Sequence, residues 1–539
     1  MRLTSTTVLL CALATTAFGE STSPIEDYPS PTRTLQTRQN GKNPPFNVNN
    51  PAPTPAFTMP ALPKLLDVNQ LVNLVGATTA PVNSLLGQAA TRLLQDLTSG
   101  YTNPVVGTVQ GLICGLFGCN AAPPPPSGRP KPVPSNVTCL NGTYDAATIS
   151  SLFYFGGANT IVYLCPNAVL NLVDTIHFTD KNQTLQTGPG SVDPSQYATL
   201  RVTGRSQSTA VYTAADGRDG ATLRNVIVDG NRPNLGWGGV GSGPLIQMGG
   251  NNKGQLIENV KAFEPRGWTA LHLIEGFMNS CQGMTVRNNQ MGPSGNAASV
   301  SGQKTNKMRR MSKRQSGGGG SSGSGVAAQN VPAGQWADGI SLACKGSTVT
   351  GNTVVDATDV GIVIFGAPGS KVTGNTVISR NRVLLGGINA ADYLPFFGSF
   401  KDVVVSGNTI NAEGNMIKIG MTLGTLSWGD FNSTLYRTNG GTFNDNTFTS
   451  GSTGYFGYGV SVNGHNAATV RNNKFTSASF GGQPTASCRF NPMPAYGPMY
   501  FNPYTTPGSN LQSQFQKAVY DFAICHNPGQ VARRGVNVY

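Results

Sequence analysis

Two aspartates carry the strongest chemical signal in the sequence: Asp338 in WADGI and Asp359 in ATDVGI, each just ahead of a short run of alternating apolar residues. A pair of carboxyls a few ångströms apart can do acid/base work, because each raises the cost of ionising the other and the pair keeps one proton between them. Such pairs cleave glycosidic bonds, with retention at separations of about 5 to 5.5 Å and inversion at about 6.5 to 9.5 Å. Counting along the repeats described below sets Arg266 and Arg382 at equivalent places on either side, so the expected arrangement is a column of two acids between two bases. His272, Ser341 and Lys418 take outward positions on the same runs, with Trp268 and Trp336 beside them, and ring faces next to charged groups suit a sugar. The candidate catalytic residues are therefore Asp338, Asp359, Arg266, Arg382, His272 and Lys418, and the candidate substrate-binding residues are Trp268, Trp336 and Ser341.

The same residues admit two other readings. In a lyase, the two acids would hold Ca²⁺ against a uronate carboxylate while Arg266, Arg382 or Lys418 acts on the C5 proton. That is the one setting in which a metal is expected; otherwise no cofactor is. In a non-catalytic wall or surface protein, the Arg and Asp residues would form a salt-bridge ladder and the aspartates would cap turns.

What must position these residues is a repeat. Segments such as RNVIVDGN, GNTVVDAT, GNTVISRN, GNTINAEG and DNTFTSGS recur, with Asn225, Asn259, Asn288, Asn352, Asn375, Asn408, Asn446 and Asn473 as markers. Between markers run ALHLI, GISLA, GIVIF, MIKIG and GVSVN, whose alternation predicts that Leu271 and Leu273, Ile340 and Leu342, Ile362 and Ile364, Ile417 and Ile419, and Val460 and Val462 stack inside. Strands this short persist only by pairing with the next repeat, which gives a solenoid of parallel sheets with coils about 4.8 Å apart.

These segments resemble the pectin-lyase-like superfamily of right-handed parallel β-helices over roughly residues 140–485, and fungal secreted β-helix proteins through GQWADGISLAC and IVIFGAPGS. The resemblance implies an all-β, single-stranded solenoid, a right-handed parallel β-helix with a small helical N-terminal region and a disulfide-linked C-terminal cap. ATISSLFYFGGANTIVYLCPNAVLNL is similar to the helix and first strand that close one end of such solenoids. Residues 486–539, with Phe490, Tyr496, Tyr500, Phe501, Tyr504 and the amphipathic stretch 511–522, are expected to cover the other. Asp338 and Asp359 resemble two acidic motifs of the polygalacturonases. Val360 departs from that pattern, standing where the family has a second adjacent Asp, and no Gly-His-Gly or Arg-Ile-Lys follows; NGHN around His465 lies too far along the chain to substitute.

Residues 1–19 have the layout of a secretory signal peptide, and no later run is long and apolar enough for a membrane helix. Residues 20–63 read as a disordered linker or pro-segment, 64–120 as short amphipathic helices, 121–136 as a Pro-rich linker, 137–485 as the β-helix domain and 486–539 as the cap. An oxidising compartment suits the eight cysteines left after Cys11, for which proximity suggests Cys114 with Cys119, Cys139 with Cys165, Cys488 with Cys525 and Cys281 with Cys344. Sequons stand at Asn136, Asn141, Asn182 and Asn432. Of the formal charge of +13, the stretch 301–330 supplies Lys304, Lys307, Arg309, Arg310, Lys313 and Arg314 with no acid. This Gly/Ser-rich basic loop offers a protease site after Arg314, and outside it the charge is too dilute to dictate a partner. The expectation is a secreted monomer, extracellular or bound to a cell wall, whose partner is an extracellular polysaccharide rather than a nucleic acid or a membrane.

Overall fold

The computed structural model describes residues 131–239, 241–296, 336–428, 436–484, 495–520, 523–524 and 526–539. The expected signal peptide, the helices of 64–120, most of the Pro-rich linker and the basic loop with Arg314 lie outside the described residues. So do Cys114, Cys119, Cys488, Cys525, Asn432 and Phe490.

The described chain is a parallel β-helix. Helix α1, Ala146–Gly156, is N-capped by Asp145, whose carboxylate accepts from Thr148 N–H at 2.9 Å, and it buries Ile149 and Phe153 against the first coils. One sheet of eleven strands then runs in parallel from Ile161–Leu164 to Asn510–Leu511. The strands that carry the candidate residues stack on another face: β1 Thr269–Ile274, β2 Asp338–Leu342, β3 Val360–Ile364, β4 Leu384–Ala390, β5 Met416–Leu423, β6 Tyr455–Val462 and β7 Gly497–Phe501. Each pairs in parallel with the next.

Six asparagines form a buried ladder at one corner. The side-chain N–H of Asn289, Asn352, Asn375, Asn408 and Asn446 each donates to the Oδ1 of the next, at 2.8 to 3.0 Å, and Asn473 closes the row. The marker in the third repeat is therefore Asn289 and not Asn288, which takes the left-handed turn position at φ 55°. Asn225 and Asn259 are likewise turn residues at φ 53°.

The strict alternation expected of the strands also slips. A Cβ built on Gly339, Gly361, Gly387, Gly420 or Gly459 would meet Val354, Val377, Ile410, Phe448 or Phe475, all core side chains, at 2.1 to 2.8 Å. These glycines, with Ala270 ahead of them, face inward, and so do the residues that follow, Leu271, Ile340, Ile362 and Ile388. Two consecutive inward residues make a bulge in every coil. In consequence Ile419, expected inside beside Ile417, packs outside with Val360, Trp428 and Tyr458. Asp338 also stands on the outer face, where unbroken alternation would have put it with Ile340 and Leu342 in the core.

Two disulfides close within the described residues, Cys139 to Cys165 and Cys281 to Cys344. The C-terminal tail covers the last coils, as expected, and does so as strands. Strands Gly497–Phe501, Asn510–Leu511 and Gln516–Lys517 lay down a further parallel coil, and His526–Val538 then pairs antiparallel with Lys474–Pro484.

Candidate functional site

The bulge puts residues three apart on one outer side of each strand, and in β2 these are Asp338 and Ser341. Ser341 Oγ lies 2.9 Å from Asp338 Oδ2 and 3.0 Å from the hydroxyl of Thr269, the register partner of Asp338 on β1. The Thr269 hydroxyl in turn donates to Leu271 O at 3.1 Å. A hydroxyl has one proton to give. With Thr269 donating to Leu271 and Ser341 to Thr269, the contact with Asp338 requires a protonated carboxyl as donor; with Asp338 ionised, Ser341 turns its proton to the carboxylate. The chain of hydroxyls serves both forms.

Asp359 stands one coil further on, offset by one residue. Its N–H donates to Ala337 O at 3.2 Å, and the N–H of the next residue, Val360, donates to Asp338 Oδ1 at 3.1 Å. The two carboxyls thus share one patch of the outer face. Burial raises the Asp338 carboxyl well above the usual range, and the nearby Asp359 and Asp392 carboxyls push it the same way, against the Ser341 and Val360 hydrogen bonds. Desolvation pushes Asp359 up to about 7. Asp338 is 5% exposed, while Asp359 keeps a partly open edge.

The flanking bases are elsewhere. Arg266 is buried and donates to the backbone carbonyls of Gly204, Gln207 and Gly236. Arg382 is ion-paired to Glu264 at 2.6 Å and donates to Gly295 O. Both guanidiniums are committed to tying loops together, so the expected column of two acids between two bases is not formed. Lys418 is buried on β5 opposite Leu385 and is engaged with a partner. His272 pairs in register with Ser341 and packs edge-on to Trp268 at 4.7 Å; burial lowers its pKa to about 3, so the ring is neutral. Trp336 is buried in the outer apolar cluster with Val360 and Val363. Asp229 pairs with Arg201 at 2.9 Å.

Three residues of this face escaped the sequence reading. Asn389 on β4 and Thr422 on β5 continue the register row of His272, Ser341 and Val363. His272 Nδ1, Asn389 Oδ1 and Thr422 Oγ1 are buried without a hydrogen-bond partner. Alternation along LLGGINA and MIKIGMTL was the available signal for both. Asp392, whose charge bears on Asp338, sits just past the end of β4, where the repeat no longer gives a register.

Among the described residues no three or more His, Cys, Asp and Glu side chains stand together as a metal site. Asp338 and Asp359 by themselves are few donors for an ion that takes six to eight oxygens, and the Asp338 oxygens are already occupied by Val360 N–H and Ser341. The donor set does not fit Ca²⁺. No helix among the described residues is long and apolar enough to cross a membrane.

Residues 273–475 match the family model for a right-handed β-helix region. No curated protein matches the sequence. Similar solved structures include an alginate lyase from Paenibacillus, at 12% identity over 68% of this chain and 97% of that one, with a TM-score of 0.35. The A-module of a mannuronan C-5 epimerase from Azotobacter vinelandii matches at 13% identity over 70% and 97%, TM-score 0.35. An endo-xylogalacturonan hydrolase from Aspergillus tubingensis matches at 11% identity over 72% and 95%, TM-score 0.38. At such identities the chemistry has to be read from this chain's own side chains.

Proposed function

We propose that this chain, a right-handed parallel β-helix of the pectin-lyase-like superfamily, is secreted and hydrolyses glycosidic bonds in an extracellular polysaccharide. The observation that carries the reading is the pair Asp338 and Asp359, two carboxyls of raised pKa on neighbouring coils of one outer face. Hydrolysis needs a proton for the leaving oxygen and a carboxylate facing the attacking water or the developing positive charge. A pair that shares one proton supplies both. Asp338, whose carboxyl burial and the Asp359 and Asp392 charges hold the higher of the two, keeps the proton and delivers it. Asp359, the more open member, takes the charged role.

The test is release of reducing ends from a panel of polysaccharides by the secreted protein, beside Asp338→Asn and Asp359→Asn variants. Each substitution is expected to cut kcat by about 10²- to 10⁴-fold, the usual worth of a positioned acid or base, with unchanged thermal unfolding at acid pH. If both variants turn over as the parent does, the pair is structural and the chemistry sits elsewhere; if the parent itself releases no reducing ends from any polymer, the protein is a rod without this activity. Accumulation of unsaturated uronate products in place of new reducing sugars alone would replace hydrolysis by elimination.

A further inference from the structure

Beside the acids the fold exposes large apolar side chains that packing does not require. The loop after β4 turns back over the outer face: Ala391 is buried in the outer apolar cluster with Val360 and Val363, and the Asp392 carboxyl bears on Asp338. From this loop Tyr393 lies 4.7 Å from the Tyr436 ring and 6.1 Å from Phe397, the second pair edge to face. Phe397 is 65% exposed and Tyr436 40%. The neighbouring turn after β1 is joined to this loop through Asn279 Nδ2, which donates to Pro395 O at 3.2 Å, and it presents Met278, 83% exposed.

Two of these side chains are held at a cost. Phe397 has φ 51° and Met278 φ 50°, the left-handed region that bulky residues avoid and glycine takes freely. A residue that is both exposed and strained adds nothing to the folded state that glycine would not provide more cheaply, and such positions gather at functional sites. The surroundings say which partner fits. The Asp338–Asp359 pair, even while holding one proton, carries a negative charge that would repel an anionic polymer, while Arg266 and Arg382 are bonded elsewhere and Lys418 is buried and engaged. The polar atoms left unpartnered on the same face, those of His272, Asn389 and Thr422, are neutral.

We propose that Tyr393, Phe397 and Tyr436, with Met278, form a platform on which a sugar ring of an uncharged glycan stacks, extending the acid pair's site toward a neutral rather than a uronate polymer. This rests on the hydrolase reading for its direction, but its own prediction is binding. The aromatic faces carry the negative side of the ring quadrupole and meet the C–H face of a pyranose, a contact that needs no charge on the sugar.

The experiment measures binding of the full secreted chain to laminarin, pullulan, xylan and polygalacturonate by affinity electrophoresis. Variants are Phe397→Gly, Met278→Gly and Tyr393→Ala, with Asp359→Asn as the comparison. At least one neutral polymer is expected to bind and polygalacturonate not to. Phe397→Gly is expected to weaken that binding about tenfold, raising KM more than it lowers kcat, with a melting temperature equal to or above the parent's because the strain is released. Asp359→Asn is expected to bind normally. Binding unaffected by all three platform variants, binding confined to polygalacturonate, or no binding to any neutral probe each overturns the platform and leaves the acid pair standing. Platform-dependent binding without turnover in the parent upholds it and removes the hydrolase.

Discussion

Ser341 decides how easily Asp338 can change its charge. Its hydroxyl is a hydrogen bond that holds the Asp338 carboxyl lower than burial alone would. Ser341→Ala should therefore raise the pKa of that carboxyl further, moving the alkaline limb of the kcat/KM profile to higher pH; a profile that stays put or moves down would show that the Thr269–Ser341 chain is not coupled to the site. The shared face of Asp338 and Asp359 was legible in sequence, the first from its alternating run and the second from its distance to the marker Asn352, because a carboxyl on a short side chain stays close to its own backbone. Arg266 and Arg382 were counted from the asparagine markers, whose frame slips at Asn288 and Asn289, and a long side chain can carry its charge well away from its Cα. That reach took them to Gly204 and Glu264.

At the scale of the strand, the feature that places the acids is the inward rank of glycines. Gly361 has Val377 Cγ1 at 2.4 Å and Gly387 O at 2.7 Å from where a Cβ would be. Gly361→Ala should cost about 1 to 3 kcal/mol, the usual range for overpacking a filled core, with lost activity as Asp359, two residues earlier, is displaced. Denaturant unfolding reads the first effect and reducing-end release the second. The parallel coils and the apolar ladders could be read from GISLA and GIVIF. The bulge could not be read from period-two alternation, although a glycine recurring at one place in successive strands is its signature. That the tail covers the last coil was legible from its aromatics, while its strand pairing was not, since that pairing depends on the coil it adds to.

For the whole molecule, the buried acids give stability a pH dependence of definite sign. Both folded carboxyls hold their protons to higher pH than an unfolded aspartate does, so between about 4 and 7 the folded state binds more protons and loses stability as pH rises. The parent should melt at a lower temperature at pH 8 than at pH 5, by a margin that shrinks in the Asp338→Asn, Asp359→Asn double variant; equal margins in the two proteins would mean that the carboxyls are solvated. A second expectation concerns the covalent frame. Cleavage after Arg314 should leave one species on a non-reducing gel and two on a reducing gel, because Cys281 and Cys344 join the coils on either side. The bridge ties together the coils that carry β1 and β2, whose pairing sets Thr269 against Asp338. Between them the strands Thr285–Arg287 and Gln290–Met291 are themselves paired to the coils on either side. A single cut after Arg314 should therefore leave the hydroxyl and the carboxyl in place, because the lattice of paired strands and the bridge hold them, and an unbroken backbone does not.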